Sequence, residues 1–190
     1  MSANISNHSG SWHHIAATYD GVTRRIFLDG VQKSSDSPSA HNVQNVSYFR
    51  IGNDGGGGSV FSGSIDDVKI YNYARSADQI REDMLGRTDS GVSLQGVTAS
   101  GKGTVGYWAF NEGSGTTAKD GSGNGNNGTI TGAMWNQNGK FGRALQFDGV
   151  NDQVTLPLAM TAMPLTIEMW VNPASSSPVG RCRIHQHFDC

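Results

Sequence analysis

The stretch WHHIAATYDGVTRRIFLDG, residues 12–30, reads as two strands joined by a tight turn. Residues 12–19 alternate: Trp12, His14, Ala16 and Thr18 point one way, and His13, Ile15, Ala17 and Tyr19 the other. Asp20-Gly21 is a strong hairpin-turn signal. Residues 24–28, RRIFL, form the return strand, and Asp29-Gly30 turns the chain again. An isolated hairpin is marginal in water. This one reads as a central sheet element, and the strands that flank it are expected downstream.

Working outward, VQKSS (31–35) runs into a polar loop at 35–45, and YFRIG (48–52) is another strand. Four glycines, 55–58, form a flexible loop before SGSIDDVKIYNYA (62–74), which holds a strand centred on 65–71. Ser76-x-x-Gln79 is a capping box and Gly86 a C-cap signal, so 77–85 is one short helix. Residues 87–104 are small and polar and read as a linker. A second β pattern then begins with VGYWAF (105–110) and a loop rich in Gly, Ser and Asn up to Thr129. Short strands follow near 129–136, 143–147, 152–156 and 165–173, the last being LTIEMWVNP. No segment of 1–86 repeats in 105–176, so the two blocks are different pieces.

Composition agrees with an all-β chain. Of 190 residues, 36% are apolar, 16% are charged and 26 are glycine. A net charge of −2 with interspersed signs gives no footprint for nucleic acid. No apolar run approaches the ~20 residues of a membrane span, so no membrane insertion is expected. The only cysteines, Cys182 and Cys190, leave the redox compartment open.

The two blocks carry a resemblance. GYWAFNEGSGTTAKDGSGNGNNGTITG…GKFGRALQFDGVNDQVTLP…LTIEMWV (residues 106–171) resembles the opening half of a laminin-G-like domain of the concanavalin A-like lectin/glucanase superfamily. WHHIAATYDGVTRRIFLDGV…FRIGNDG…FSGSIDDVKIYNYARSADQI (residues 12–80) resembles the closing half of the same family. The order is the departure: the closing half comes first. The resemblance implies a jelly-roll β-sandwich of two antiparallel sheets. In such a fold the first and last strands lie side by side, so 107–110 should pair with 65–71. Residues 1–86 would then be one half, 87–104 the linker, 105–177 the other half and 178–190 an atypical tail. Either the halves complete each other as one permuted sandwich, within one chain or between two chains as a swapped dimer, or each belongs to a separate unit of a tandem array.

Candidate sites follow from side-chain chemistry. Asp120, Ser122 and Asn124 place oxygens at alternate positions with Gly125 at the sixth, which is how a calcium loop begins. Thr131 stands where such a loop would carry a bidentate Glu, and the competing reading is an Asx-rich turn. Asp148 and Asp152 of DGVND could join Asp120 on a calcium ion or simply close a hairpin. Asp66 and Asp67 are adjacent on a strand, so alternation sends them to opposite faces, and Asp66 is the further metal candidate. Trp135, Asn126 and Asn127 are the ligand-binding candidates, although core packing competes for every tryptophan. His13 and His14 face opposite ways and cannot chelate together; one is expected beside Trp12. In the tail, Cys182, His185, His187 and Cys190 have zinc-type side chains, with a disulfide as the alternative.

Catalysis is not expected. Relatives that cleave glucans carry several acids on one strand, and LTIEMWV has only Glu168. There is no G-x-S-x-G, H-E-x-x-H or nucleotide loop. The resemblance implies a non-catalytic, extracellular or cell-surface binding or adhesion module within a larger multidomain protein. Its implied partner is carbohydrate or a matrix or surface glycan, with calcium as cofactor. A structural spacer and a glycoside hydrolase accessory domain are the alternatives.

Overall fold

In the computed structural model the described residues are 2–4, 8–37, 49–53, 60–86, 103–158, 164–174, 181–184 and 188–189. Residues 2–4, 181–184 and 188–189 are described by backbone. The strands are β1 (Ser2–Asn4), β2 (His13–Tyr19), β3 (Arg24–Leu28), β4 (Val31–Asp36), β5 (Phe49–Ile51) and β6 (Ser62–Tyr71). Helix α1 (Ala77–Met84) follows, then β7 (Thr104–Trp108), β8 (Thr117–Ala118), β9 (Gly128–Thr131), β10 (Met134–Asn136) and β11 (Ala144–Asp148). The chain continues through β12 (Gln153–Leu156), β13 (Leu165–Pro173), β14 (Arg181–Ile184) and β15 (Phe188–Asp189).

The opening hairpin is β2–β3. Asp20 Oδ1 accepts the N–H groups of Val22 and Thr23 at 2.9 and 2.7 Å, which closes the turn locally. The other edge of β2 is taken by β13, with Ala17 opposite Ile167 and Ile15 opposite Met169. The far edge of β13 pairs with β6. An eight-stranded antiparallel sheet results, ordered β10-β11-β6-β13-β2-β3-β4, with β7 also on β6. The second sheet is β5-β12-β9-β8. β1, β14 and β15 form a small sheet of their own.

Alternation builds the core. Ile15 and Ala17 of β2, Ile65, Val68 and Ile70 of β6, and Ile167, Met169 and Val171 of β13 all point inward. They meet Phe49 and Ile51 of β5, Ile130 of β9, and Val154 and Leu156 of β12 across the gap. Trp108, Phe110 and Phe147 fill it and are fully buried. The resulting two-sheet all-β sandwich with one short helix is the architecture expected from the strand pattern. On the outer face of the large sheet, Ile80 of α1 packs on Ala16 and Phe27. The capping box is formed as spelled: Gln79 N–H donates to Ser76 Oγ and Ser76 N–H to Gln79 Oε1.

β6 changes partner midway. Its residues 62–65 pair with β11 and 68–71 with β7. Asp66 and Asp67 sit at the switch. Asp67 has φ +54°, and the β6–β13 register shifts between Glu168 and Trp170. This bulge interrupts the alternation at the two acids, and both are buried.

Most of the expected linker, 87–102, lies outside the described residues. Its end does not: Gly103 pairs with Asn72, and β7 already begins at Thr104. The side chains of Cys182, His185, His187 and Cys190 also lie outside the described residues.

Candidate functional site

The loop 120–127 is best understood from what its polar atoms touch. Asp120 Oδ1 accepts the N–H groups of Tyr107 and Ser122 at 3.0 and 2.8 Å, and Oδ2 accepts that of Asn126 at 2.9 Å. Asn124 Nδ2 donates to the carbonyls of Thr104 and Val105, and Asn126 Nδ2 to that of Val105. Gly121 N–H reaches Tyr107 O at 2.7 Å. Loop side chains thus satisfy the free edge of β7 where a neighbouring strand would otherwise lie. Burial pushes the Asp120 carboxyl up, but hydrogen bonds from Ser122, Tyr107 and Asn126 outweigh it and hold the group below its usual range. Asn127 Oδ1 accepts Asp120 N–H, and Asn126 O accepts Trp108 Nε1–H. Asn126 and Asn127 therefore shape the loop.

Asp148 and Asp152 close their own turn. Asp152 Oδ2 accepts Asp148 N–H, and Asp148 Oδ1 accepts Val150 N–H, each at 2.8 Å. They stand at the opposite end of β9 from Asp120: Ala118 pairs with Gly128, whereas Gln153 pairs with Thr131. That is about 10 Å of strand. Asp66 lies on β6 of the large sheet, four residues along from Ser62, the partner of Asp148. The structure does not bring Asp120, Asp148, Asp152 and Asp66 together. Among the described residues no three His, Cys, Asp or Glu side chains form a metal-binding group.

The densest polar cluster lies on the outer face of the large sheet, beneath α1. Arg75 Nε is 2.9 Å from Glu168 Oε1, and His14 Nε2 is 3.5 Å from Glu168 Oε2. Lys69 Nζ is 3.1 Å from Asp67 and 3.6 Å from Asp83. Tyr71 donates its hydroxyl to Asp83 at 2.7 Å, and the Arg75 guanidinium stacks 4.3 Å from the Tyr71 ring centre. Thr166 ties in the backbone, accepting Arg75 N–H and donating to Tyr73 O.

Three carboxyls thus face two permanent cations. Burial, with Lys69 nearby, lowers His14 to about 4, so it stays neutral at pH 7. Burial, aided by neighbouring Asp83 and opposed by Arg75, raises Glu168 well above the usual carboxylate range. Sequence reading missed this group. Its signal was a carboxylate amid the apolar residues of LTIEMWV, since a buried charge requires partners.

Beside this cluster, Trp170 packs edge-on against His14 and Phe141, and Lys140 Nζ sits 4.1 Å above its ring centre. Asp66 holds the covering loop by accepting Phe141 N–H at 2.8 Å. His14 therefore lies beside Trp170. His13 pairs instead with Asp29 at 2.8 Å. Trp135 is half-buried against the core and donates Nε1–H to Gly115 O. Met134, its neighbour on β10, is 69% exposed, and Phe141 is 42% exposed.

Residues 1–81, spanning β1 to β6 and the start of α1, match the family model of the concanavalin A-like lectin/glucanases superfamily. The match takes in 81 of the 190 residues. No curated protein and no solved structure matches the chain. The concanavalin A-like match ends inside α1, and it takes in the Arg75, Lys69 and His14 side of the polar cluster. Glu168 comes from outside it. A binding module is the general role that this superfamily supports.

Proposed function

We propose that the chain is a non-catalytic carbohydrate-binding module, working at the cell surface or outside the cell as part of a larger protein. The observation that carries the reading is the surface of residues 134–141. It offers exposed Met134 on edge strand β10 and, on the loop from β10 to β11, the exposed side chains of Phe141, Gln137, Asn138 and Lys140. Apolar faces beside amide donors and acceptors suit a hydroxyl-rich ring. Trp135 supports this surface from the core side, while Asn126 and Asn127 serve the loop that caps β7.

The non-catalytic part rests on Glu168. A glycosidase needs two carboxylates that reach the scissile bond. Glu168 is sealed under Arg75 and His14, with 1% of its side chain exposed.

A glycan array with the intact chain tests the reading. We expect a glycan signal that falls at least about tenfold in Phe141→Ala, the loss of one stacking contact. A parallel array in EDTA decides calcium dependence. No signal under either condition would overturn the reading in favour of a structural spacer.

A further inference from the structure

We propose that the cleft between β2 and β6 is a strand-accepting site, and that a second copy of this chain can fill it with its own β13. The pairings lead there. Among the described strands, β6 bonds only to β7, β11 and β13, all from residues 103–174. β5 bonds only to β12. Within 1–86 the remaining strand pairings among the described residues are β2–β3 and β3–β4, with one isolated bridge between Asn53 and Val60. Taken alone, residues 1–86 would be a three-stranded meander with β5 and β6 unpaired, and its apolar face would be open. Residues 103–174 alone would leave β7 and β13 without a neighbour. Each segment is the other's missing sheet.

The cleft also recognises what enters it. β13 inserts with both edges paired over seven positions on β2 and seven on β6. A slip of one residue would turn every side chain to the other face. It would carry Glu168 into the apolar core and away from Arg75, Lys69 and His14. Ser64 to Gln146, Arg75 to Thr166 and Asp66 to Phe141 are further bonds that cross between the segments. The fit therefore demands an antiparallel strand with alternate apolar residues and one acid placed opposite Lys69. β13 meets that demand whichever copy it comes from.

The connection, residues 87–102, decides which copy donates. Sixteen residues, rich in Gly, Ser and Thr, join the two segments in sequence. Such a tether holds its own β13 at about millimolar effective concentration, so dilute chains close on themselves and crowded ones exchange.

The test uses full-length chains. One copy carries Val171→Asp, which spoils β13, and another carries Ile15→Asp, which spoils β2. The copies are mixed in denaturant and refolded together at about 0.1 mM. The expected product is a heterodimer with the near-ultraviolet circular dichroism of one sandwich per two chains, at least about tenfold above either copy alone. A mixture that equals the sum of the separately refolded copies overturns the proposal, and so does either copy folding alone. Unaltered chains bearing two different tags supply a second reading. Tag-mixed dimers should form on refolding together and not on mixing folded proteins. Monomers in both cases, or dimers in both, overturn strand exchange.

Discussion

Arg75 and Glu168 face each other 2.9 Å apart, with 1% of either side chain exposed. One follows the last strand of the family-matched segment, and the other stands on β13, so this contact pins the two segments together. Removing one partner of a buried pair leaves an uncompensated charge. Arg75→Met should destabilise the fold by about 3–5 kcal/mol in urea unfolding. Arg75→Met with Glu168→Leu should recover most of that loss, because the apolar pair asks for no solvation. A double variant as unstable as the single one would show that the contact has no such role.

Asp66 and His14 flank Trp170, and their pH effects run in opposite senses. Burial, aided by neighbouring Asp67, raises the Asp66 carboxyl from 3.8 to about 6. Folding then favours its protonated form, and its contribution is fully present below pH 3.8 and lost as pH rises to 6. His14 is lowered from 6.5 to about 4. Its contribution is present above pH 6.5 and lost as pH falls to 4. Relative to the unaltered chain, Asp66→Asn should gain stability as pH rises from 4 to 6. His14→Gln should gain stability as pH falls through the same window. Chemical unfolding at half-unit steps reads both slopes, each bounded by about 1.4 kcal/mol per pH unit.

Asp120 organises the cap on β7 through three backbone N–H groups. Asp120→Ala should cost about 1–3 kcal/mol and raise the tendency to aggregate, since the β7 edge opens. Because its carboxyl is held below the usual range, its contribution is present at neutral pH and lost as pH falls through the acid range. Thermal melts of the variant at pH 7 and pH 3 should differ less from each other than those of the unaltered chain.

Gly52 follows β5 with φ +89°, and a Cβ there would run into the Phe147 ring. Gly52→Ala combines backbone strain with overpacking and should cost about 1–3 kcal/mol. An equal substitution at Gly21, where nothing lies within 4 Å, carries strain only and should cost less. Denaturant midpoints of the pair separate the two contributions.

The strands were legible where alternation was clean: residues 13–19, 24–28, 62–71 and 165–173 all formed, and β7 pairs with β6 as expected. The capping box gave α1 almost to the residue. The bulge at Asp67 was not legible, because it depends on β6 exchanging β11 for β7, a non-local event. β4 and β8 were missed for a related reason. VQKSSD and Thr117-Ala118 have little β pattern of their own and pair because a neighbour offers an edge. In the candidate site, the oxygens of Asp120, Ser122 and Asn124 were visible in the sequence, but their backbone donors on β7 were not. The buried cluster around Glu168 gathers residues from positions 14 to 168, and spacing cannot show that.

The central position of β13 has a consequence for synthesis. β2 is complete at Tyr19 and its partner begins at Leu165, so 146 residues must be translated before the central strand arrives. At typical elongation rates that is roughly 7–30 s on the ribosome. During that interval the nascent chain displays an open strand edge and an apolar face to every neighbour on the same message. Polysome spacing, nascent-chain chaperones and translation speed therefore belong among the determinants of whether this protein leaves the ribosome as one sandwich or as an interlocked pair.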